Sequence, residues 1–168
     1  MQIRILGYKD ALAYQSLRLQ GLQINPESFS SSYKEEAKWT LEDFEKRLTP
    51  QGYVFTLGAF KEDQLVGIVT FQQELKEKLK HKGSISGMYI DFEFRNQGIA
   101  HALLDELFLL IQKLEGLEQV QLSVVTTNQT AIRLYESFGF KQYAMERRAL
   151  KVAGNYLDEV FMVKYLNK

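Results

Sequence analysis

Along this chain the spacing of apolar positions switches period several times, and each switch marks an element. From Gly98 onward Ile99, Ala102, Leu103, Leu107, Leu110, Ile111 and Leu114 recur every three or four residues, which predicts a helix ending at Gly116. Upstream, "YVFTLGAF" and "LVGIVTFQQEL" are β-rich runs flanking the charged turn "KEDQ", so a hairpin is expected there, with a third strand over Ser84 to Ile90 after the lysine-rich connector "KEKLKHKG". Gln2 to Leu6 reads as a short first strand. Lys9 to Ile24 reads as a helix carrying Leu12, Leu17 and Leu22, stopped by Asn25-Pro26. "SFSSSYKEEAKW" reads as a polar loop set with aromatics. Thr40 and Asp43 form a variant capping box ahead of the helix "LEDFEKRL", which Pro50-Gln51-Gly52 closes. "EQVQLSVVTT" is the next strand and Asn128 to Ser137 a short helix with Gly139 at its C-terminal cap. The strands "KQYAMERRALKV" and "YLDEVFMVKYL" then meet at a Gly-Asn turn. The order β-α-α-β-β-β-α-β-α-β-β, without repeats or linkers, predicts one mixed α/β (α+β) domain over residues 1–168.

Composition narrows the chemistry. Across 168 residues 21 basic side chains balance 21 acidic ones, so neither nucleic acid nor an anionic membrane is expected as a partner. There is no cysteine, which removes disulfides, Cys-ligated zinc and a thiolate nucleophile; two separated histidines make no His-x-x-x-His pair, and no metal is expected. The start "MQIRILGYKD" has no apolar signal core, and no apolar run approaches a membrane span, so a cytoplasmic location is expected.

The stretch "MYIDFEFRNQGIAHALLDEL", Met88 to Leu107, carries the strongest signal. A strand there runs through an arginine, two amides and a glycine into a helix. A helix start presents free backbone N–H groups and the positive end of the helix dipole, a natural site for phosphate. Arg95 can add charge, and Gly98 lets the backbone approach a ligand without a Cβ. The pattern lacks the three glycines of a dinucleotide fingerprint and the Gly-Lys-Ser/Thr of a P-loop. An ordinary strand-to-helix turn is the plain alternative.

Two motifs together give this sequence a family resemblance. "RNQGIA" preceded by "MYI" is similar to the Arg/Gln-x-x-Gly-x-Gly/Ala signature of the GCN5-related N-acetyltransferases, the GNAT proteins. "NQTAIRLYESFGF" is similar to their second signature, Asn-x-x-Ala-x-x-Leu-Tyr-x-x-x-Gly-Phe. The one departure is Ala100, where many members have glycine. The resemblance covers nearly the whole chain. It implies a twisted, mostly antiparallel sheet flanked by helices, with a central splayed parallel pair formed by the strand ending at Ile90 and that ending near Val125. Acetyl-CoA is then expected in the opening as cosubstrate. Its pyrophosphate would lie on the backbone amides of Arg95, Asn96, Gln97, Gly98, Ile99, Ala100 and His101, and its pantetheine arm along Met88, Tyr89 and Ile90.

Asn128 and Tyr135 are seven residues apart, close to two helical turns, and so share one side of the short helix. Taken alone, Asn128 is a plain N-cap and Tyr135 a core tyrosine beside Ala131, Leu134 and Phe138. The resemblance instead makes Asn128 a CoA contact and Tyr135 a proton donor to the departing sulfur. Transfer to an amine also needs a base. Glu74 at a strand end is the leading expectation, with Glu35, Glu36, Asp158 and Glu159 as alternatives. His81 and the lysines at 76, 78, 80 and 82 read as solvated.

Phe29, Tyr33 and Trp39 are the expected acceptor contacts, with packing of the loop as the alternative. The resulting reading is an acetyl-CoA-dependent N-acetyltransferase acting by direct attack of a primary amine, on a small molecule first and on a protein N-terminus or lysine second. Two rival classes are a non-catalytic acyl-CoA sensor and a nucleotide-binding protein using the Arg95–Ala100 turn. A homodimer is the one macromolecular assembly left open.

Overall fold

The computed structural model describes residues 1–166; positions 167 and 168 of the expected domain lie outside the described residues. Seven strands form one sheet in the order β1-β2-β3-β4-β5-β7-β6: β1 Gln2–Ile5, β2 Val54–Lys61, β3 Gln64–Gln73, β4 Lys82–Ile90, β5 Gln119–Val125, β6 Lys141–Val152 and β7 Asn155–Tyr165. Each neighbouring pair is antiparallel except β4 with β5. That exception follows from connectivity. Between these two strands the chain makes a crossover through a helix, which returns it in the same direction. The sheet expected from the family resemblance is therefore present.

The helices are α1 Ala11–Ile24, α2 Tyr33–Glu36, α3 Leu41–Leu48, α4 Ile99–Ile111 and α5 Gln129–Ser137. On one side of the sheet α4 inserts Leu103, Leu104, Leu107 and Ile111, all fully buried, against Val66, Val69, Phe71 and Val120. Each such side chain contributes roughly 1.5–3 kcal/mol. On the other side α1 and α3 bury Tyr14, Leu17, Leu22, Phe44 and Leu48 against Leu65, Ile68 and Tyr89. The sheet is thus covered on both faces, and the period-3.6 stripes are the covering surfaces.

Several boundaries differ from the sequence reading for identifiable reasons. The polar loop after Phe29 contains α2, because Ser32 accepts from the Glu35 N–H at 3.3 Å while the Glu35 carboxylate takes the Ser32 N–H at 2.8 Å. This Ser-x-x-Glu capping box was readable beside the one at Thr40. α4 stops at Ile111 rather than running to Gly116, since Lys113 and Leu114 bond back three residues and tighten the last turn. Ala153 and Gly154, at φ 49° and 86°, form the two-residue turn joining β6 to β7, one residue earlier than the expected Gly-Asn pair.

Candidate active site

β4 and β5 separate. They pair only at Lys82↔Gln119, Gly83↔Val120 and Ser84↔Gln121. Beyond Ser84, β4 is irregular: its register against β3 shifts between Ile68 and Thr70, and Gly87 adopts φ 61°. Such a bulge bends a strand and leaves its outer edge unpaired. The β5-facing edge of β4 from Ile85 to Ile90, and the matching edge of β5 beyond Gln121, therefore carry backbone donors and acceptors with no strand partner. The gap between them is a cleft of about 630 Å³.

One end of the cleft is closed by the start of α4. Asn96 and Gly98 sit at φ 61° and 76°, and the first bond of the helix runs from the Ala102 N–H to the Gly98 carbonyl at 3.0 Å. The N–H groups from Gly98 to His101 thus precede any helical acceptor, at the positive end of the helix. Nothing lies within 4 Å of where a Gly98 Cβ would stand, so the cleft reaches this backbone directly. Arg95 does not swing free. Its Nε donates to the Ile90 carbonyl at 3.2 Å and its Nη2 to Asn25 Oδ1 at 2.6 Å.

The expected cofactor residues fall together with one exception. Met88, Tyr89, Ile90, Arg95 and Asn96 line the cleft, as do Gly98, Ile99, Ala100 and His101. Gln97 does not. Its side-chain oxygen accepts from the Lys61 ammonium and its amide donates to the Glu93 carbonyl at 3.4 Å. Asn128 is both an N-cap, accepting from the Ala131 N–H at 3.1 Å, and a cleft residue.

Tyr135 is buried at 6% exposure, set edge-on to Phe140 with ring centroids 5.8 Å apart, and lines the cleft. Among the described residues its hydroxyl has no hydrogen-bond partner. Burial pushes its pKa up to about 12, so the phenol is neutral and a donor throughout the physiological range.

The carboxylates separate cleanly. Glu74, the leading expectation for a base, is exposed at the end of β3 and does not border the cleft, because the opening lies between β4 and β5 rather than at the β3–β4 turn. Glu35 caps α2, Glu36 is buried beneath Arg18, and Asp158 accepts from the Arg148 N–H at 2.8 Å. Of these alternatives only Glu159 lines the cleft, projecting from β7 beside Ser123, whose hydroxyl donates to it over a long 3.4 Å. Burial raises the Glu159 carboxyl above the ordinary range; the Ser123 contact opposes this and Glu146 adds to it.

The three expected acceptor aromatics lie elsewhere. Phe29 is buried against Tyr89, ring centroids 6.1 Å apart, while Tyr33 starts α2 and is 38% exposed. Trp39 packs on Phe44 at 5.4 Å and beneath the Arg47 guanidinium at 5.3 Å, so its ring secures α3. The side chains that do border the cleft from this region are Asn25, Glu27 and Ser28. The dipeptide Asn25-Pro26 announces them in the sequence, but it reads there only as a helix stop.

Comparison with known proteins agrees with this geometry. A structure described as an acetyltransferase of the GNAT family from Streptococcus pneumoniae superposes with a TM-score of 0.88 at 26% identity, covering 98% of this chain and 99% of that one. The putative acetyltransferase yncA from Salmonella typhimurium, solved with its cofactor acetyl-CoA, shares the fold with a TM-score of 0.81 at 19% identity, over 100% of this chain and 95% of that one. Among curated proteins, the L-amino acid N-acetyltransferase AaaT of Escherichia coli (strain K12) is 23% identical over 121 residues, 72% of this chain and 74% of the relative. The model of the acetyltransferase (GNAT) family matches residues 19–140, which takes in β4, the α4 turn, β5 and α5, and the chain belongs to that family.

Proposed function

We propose that this chain transfers the acetyl group of acetyl-CoA to the primary amine of a small molecule by direct attack. The observation that carries this reading is the unpaired β4 edge, which shares one cleft with the open amides ahead of α4. A strand-like arm ending in a pyrophosphate fits that sequence of groups: amide donors and acceptors along Met88 to Ile90, then a helix N-terminus. The acetyl end would then lie near Tyr135 and Glu159.

The residues divide the chemistry as follows. The Glu159 carboxylate takes a proton from the acceptor ammonium, directly or through a water. The freed amine attacks the thioester carbonyl carbon, forming the C–N bond, and a backbone N–H of β4 stabilises the negative charge on oxygen. As the C–S bond breaks, the Tyr135 hydroxyl donates its proton to sulfur, and the second proton that the nitrogen loses as the amide forms returns to the phenolate through water. Burial favours this assignment, since the same dry surroundings that keep the phenol neutral also disfavour a free thiolate. Holding the two substrates together supplies much of the rate.

The likeness to an L-amino acid N-acetyltransferase supports a small acceptor. No described helix is long and apolar enough to cross a membrane, and the reading is of a cytoplasmic enzyme without a metal. Incubation with acetyl-CoA and a panel of amines, followed by release of free CoA thiol, tests the proposal. Amine-dependent release supports it; tight acetyl-CoA binding with no release above hydrolysis would instead make the chain a sensor.

A further inference from the structure

Glu159, the cleft carboxylate of β7, stands directly opposite Glu146 on the edge strand β6. Residues opposed across an antiparallel pair share one face of the sheet, and like charges placed so repel each other. A neighbouring cation would relieve the repulsion, but among the described residues neither carboxylate is in an ion pair with an arginine, lysine or histidine. Val160 takes the core side, so both carboxylates lie on the other face, where Ser123 of β5 reaches Glu159 at 3.4 Å. Phe161, two residues further along that face, meets the Tyr143 ring at 6.3 Å, and aromatic surface borders Glu159 there.

The opposition is built into the strand. Ala144↔Phe161, Met145↔Val160 and Glu146↔Glu159 form a short regular stretch with a register shift on either side, between Gln142 and Ala144 and between Glu146 and Leu150. Past Glu146, the residues Arg147, Arg148 and Ala149 stand against Asp158 alone. Arg148 takes φ 56° and donates its N–H to Asp158 Oδ1 at 2.8 Å. That backbone conformation is uncommon and costly for a residue other than glycine, and a bulge re-aims the side chains beside it. A slip of one residue would turn Glu146 to the opposite face.

The other charged groups of this region have partners of their own or lie along the bulge. Across the cleft, Glu27 accepts from the Asn25 amide at 3.0 Å. Arg95 is tied to Asn25, and His101 to Asp105 at 2.9 Å. The Arg148 guanidinium lies over the Tyr156 ring at 5.1 Å, and Arg147 separates it from Glu146. Glu146 is the charge that the register sets against Glu159.

We propose that Glu146 is a positioning residue for the transfer: its carboxylate, held opposite Glu159 by the two bulges, makes Glu159 a stronger base than a lone carboxylate and so governs how readily the acceptor ammonium gives up its proton. The effect on transfer rests on Glu159 being the base. The coupling of the two carboxylates rests on the register alone.

The test follows the Glu159 carboxyl itself, by carbon-13 NMR across pH, with Glu159→Gln identifying its resonance. Glu146→Gln removes the opposing charge from an exposed position, so the variant should fold with a thermal midpoint no lower than wild type and with acetyl-CoA affinity kept. Its Glu159 midpoint should fall by roughly half a pH unit or more, the scale of one like charge on the facing strand. Glu146→Asp keeps the charge on a shorter arm and should restore part of the difference. The acidic limb of kcat/KM should move to lower pH by the same interval as the Glu159 resonance. An unchanged Glu159 midpoint in the glutamine variant would overturn the proposal, whatever its activity. A midpoint that moves while the limb of kcat/KM stays would support the coupling and count against Glu159 as the base.

Discussion

Arg95 Nη2 meets Asn25 Oδ1 at 2.6 Å across 70 residues of sequence, and the same guanidinium holds the Ile90 carbonyl through Nε at 3.2 Å. One side chain thereby joins the turn before α4, the end of β4 and the segment after α1 that contributes Asn25, Glu27 and Ser28 to the cleft. A lysine keeps the charge but lacks the planar fork that presents Nε to one acceptor and Nη2 to the other. Arg95→Lys is expected to weaken acetyl-CoA binding about tenfold, the scale of one charge-assisted hydrogen bond, and to raise the acceptor KM as well. Steady-state kinetics with each substrate varied in turn checks this. A change confined to the acetyl-CoA side would show that the link to Asn25 carries nothing to the acceptor.

Gly98 precedes α4 at φ 76°, a conformation that costs most side chains roughly 1–2 kcal/mol, and no protein atom lies within 4 Å of its absent Cβ. Gly98→Val should therefore fold, and should weaken acetyl-CoA binding tenfold or more, because the branched side chain would stand over the open amides. Calorimetric titration of the folded variant decides. Unchanged affinity would remove the pyrophosphate from this turn.

The two short motifs bring their residues together in the cleft because each is local: a strand, a turn at positive φ and a helix start follow one another in the chain. The acceptor half depends on elements that only the sheet order brings together. Glu159 reaches the cleft because β7 crosses back to lie beside β5, opposite Val125, and nothing in "YLDEVFMVKYL" distinguishes it from Asp158. Glu74 is a strand-end carboxylate, yet the cleft opens between the parallel pair, away from the β3–β4 turn. The aromatic loop stands apart from the cleft for a related reason. Phe29 is buried against Tyr89, and Trp39, 37% exposed, leans on Phe44.

Glu159 carries a raised carboxyl pKa, caused first by burial, then opposed by Ser123 and increased by Glu146. Its folded pKa exceeds its unfolded value, so the native state holds the proton more firmly and stability falls as pH rises through the interval between the two. Glu159→Gln should consequently raise the thermal midpoint at neutral pH slightly and lower kcat by about 10²-fold or more, the range of a lost general base. The wild-type kcat/KM should fall on acidification with a midpoint above the usual carboxylate range. Retention of that acidic limb in the glutamine variant would assign the base to another group.

Tyr135→Phe keeps the ring that packs on Phe140 and removes a hydroxyl without a partner among the described residues. The thermal midpoint should hold or rise, acetyl-CoA affinity should change little, and kcat at saturating acceptor should fall by about 10²-fold. With the phenol pKa near 12, no loss of wild-type activity from tyrosine ionisation is expected below about pH 11. Wild-type turnover in the phenylalanine variant at every pH would make Tyr135 a packing residue and water the proton source.

The central claim is that the cleft between β4 and β5 delivers an acetyl group straight to an amine. A single-turnover experiment tests it most directly: protein loaded with one equivalent of acetyl-CoA is mixed with excess amino acid, and acetylated product, free CoA and intact protein are weighed by mass spectrometry over time. The account predicts that product and CoA appear together, at the same rate, with no acetyl group on the protein at any time. Acetyl-CoA that stays bound and intact in the presence of every amine, or an acetylated serine or threonine that forms before product, would contradict it.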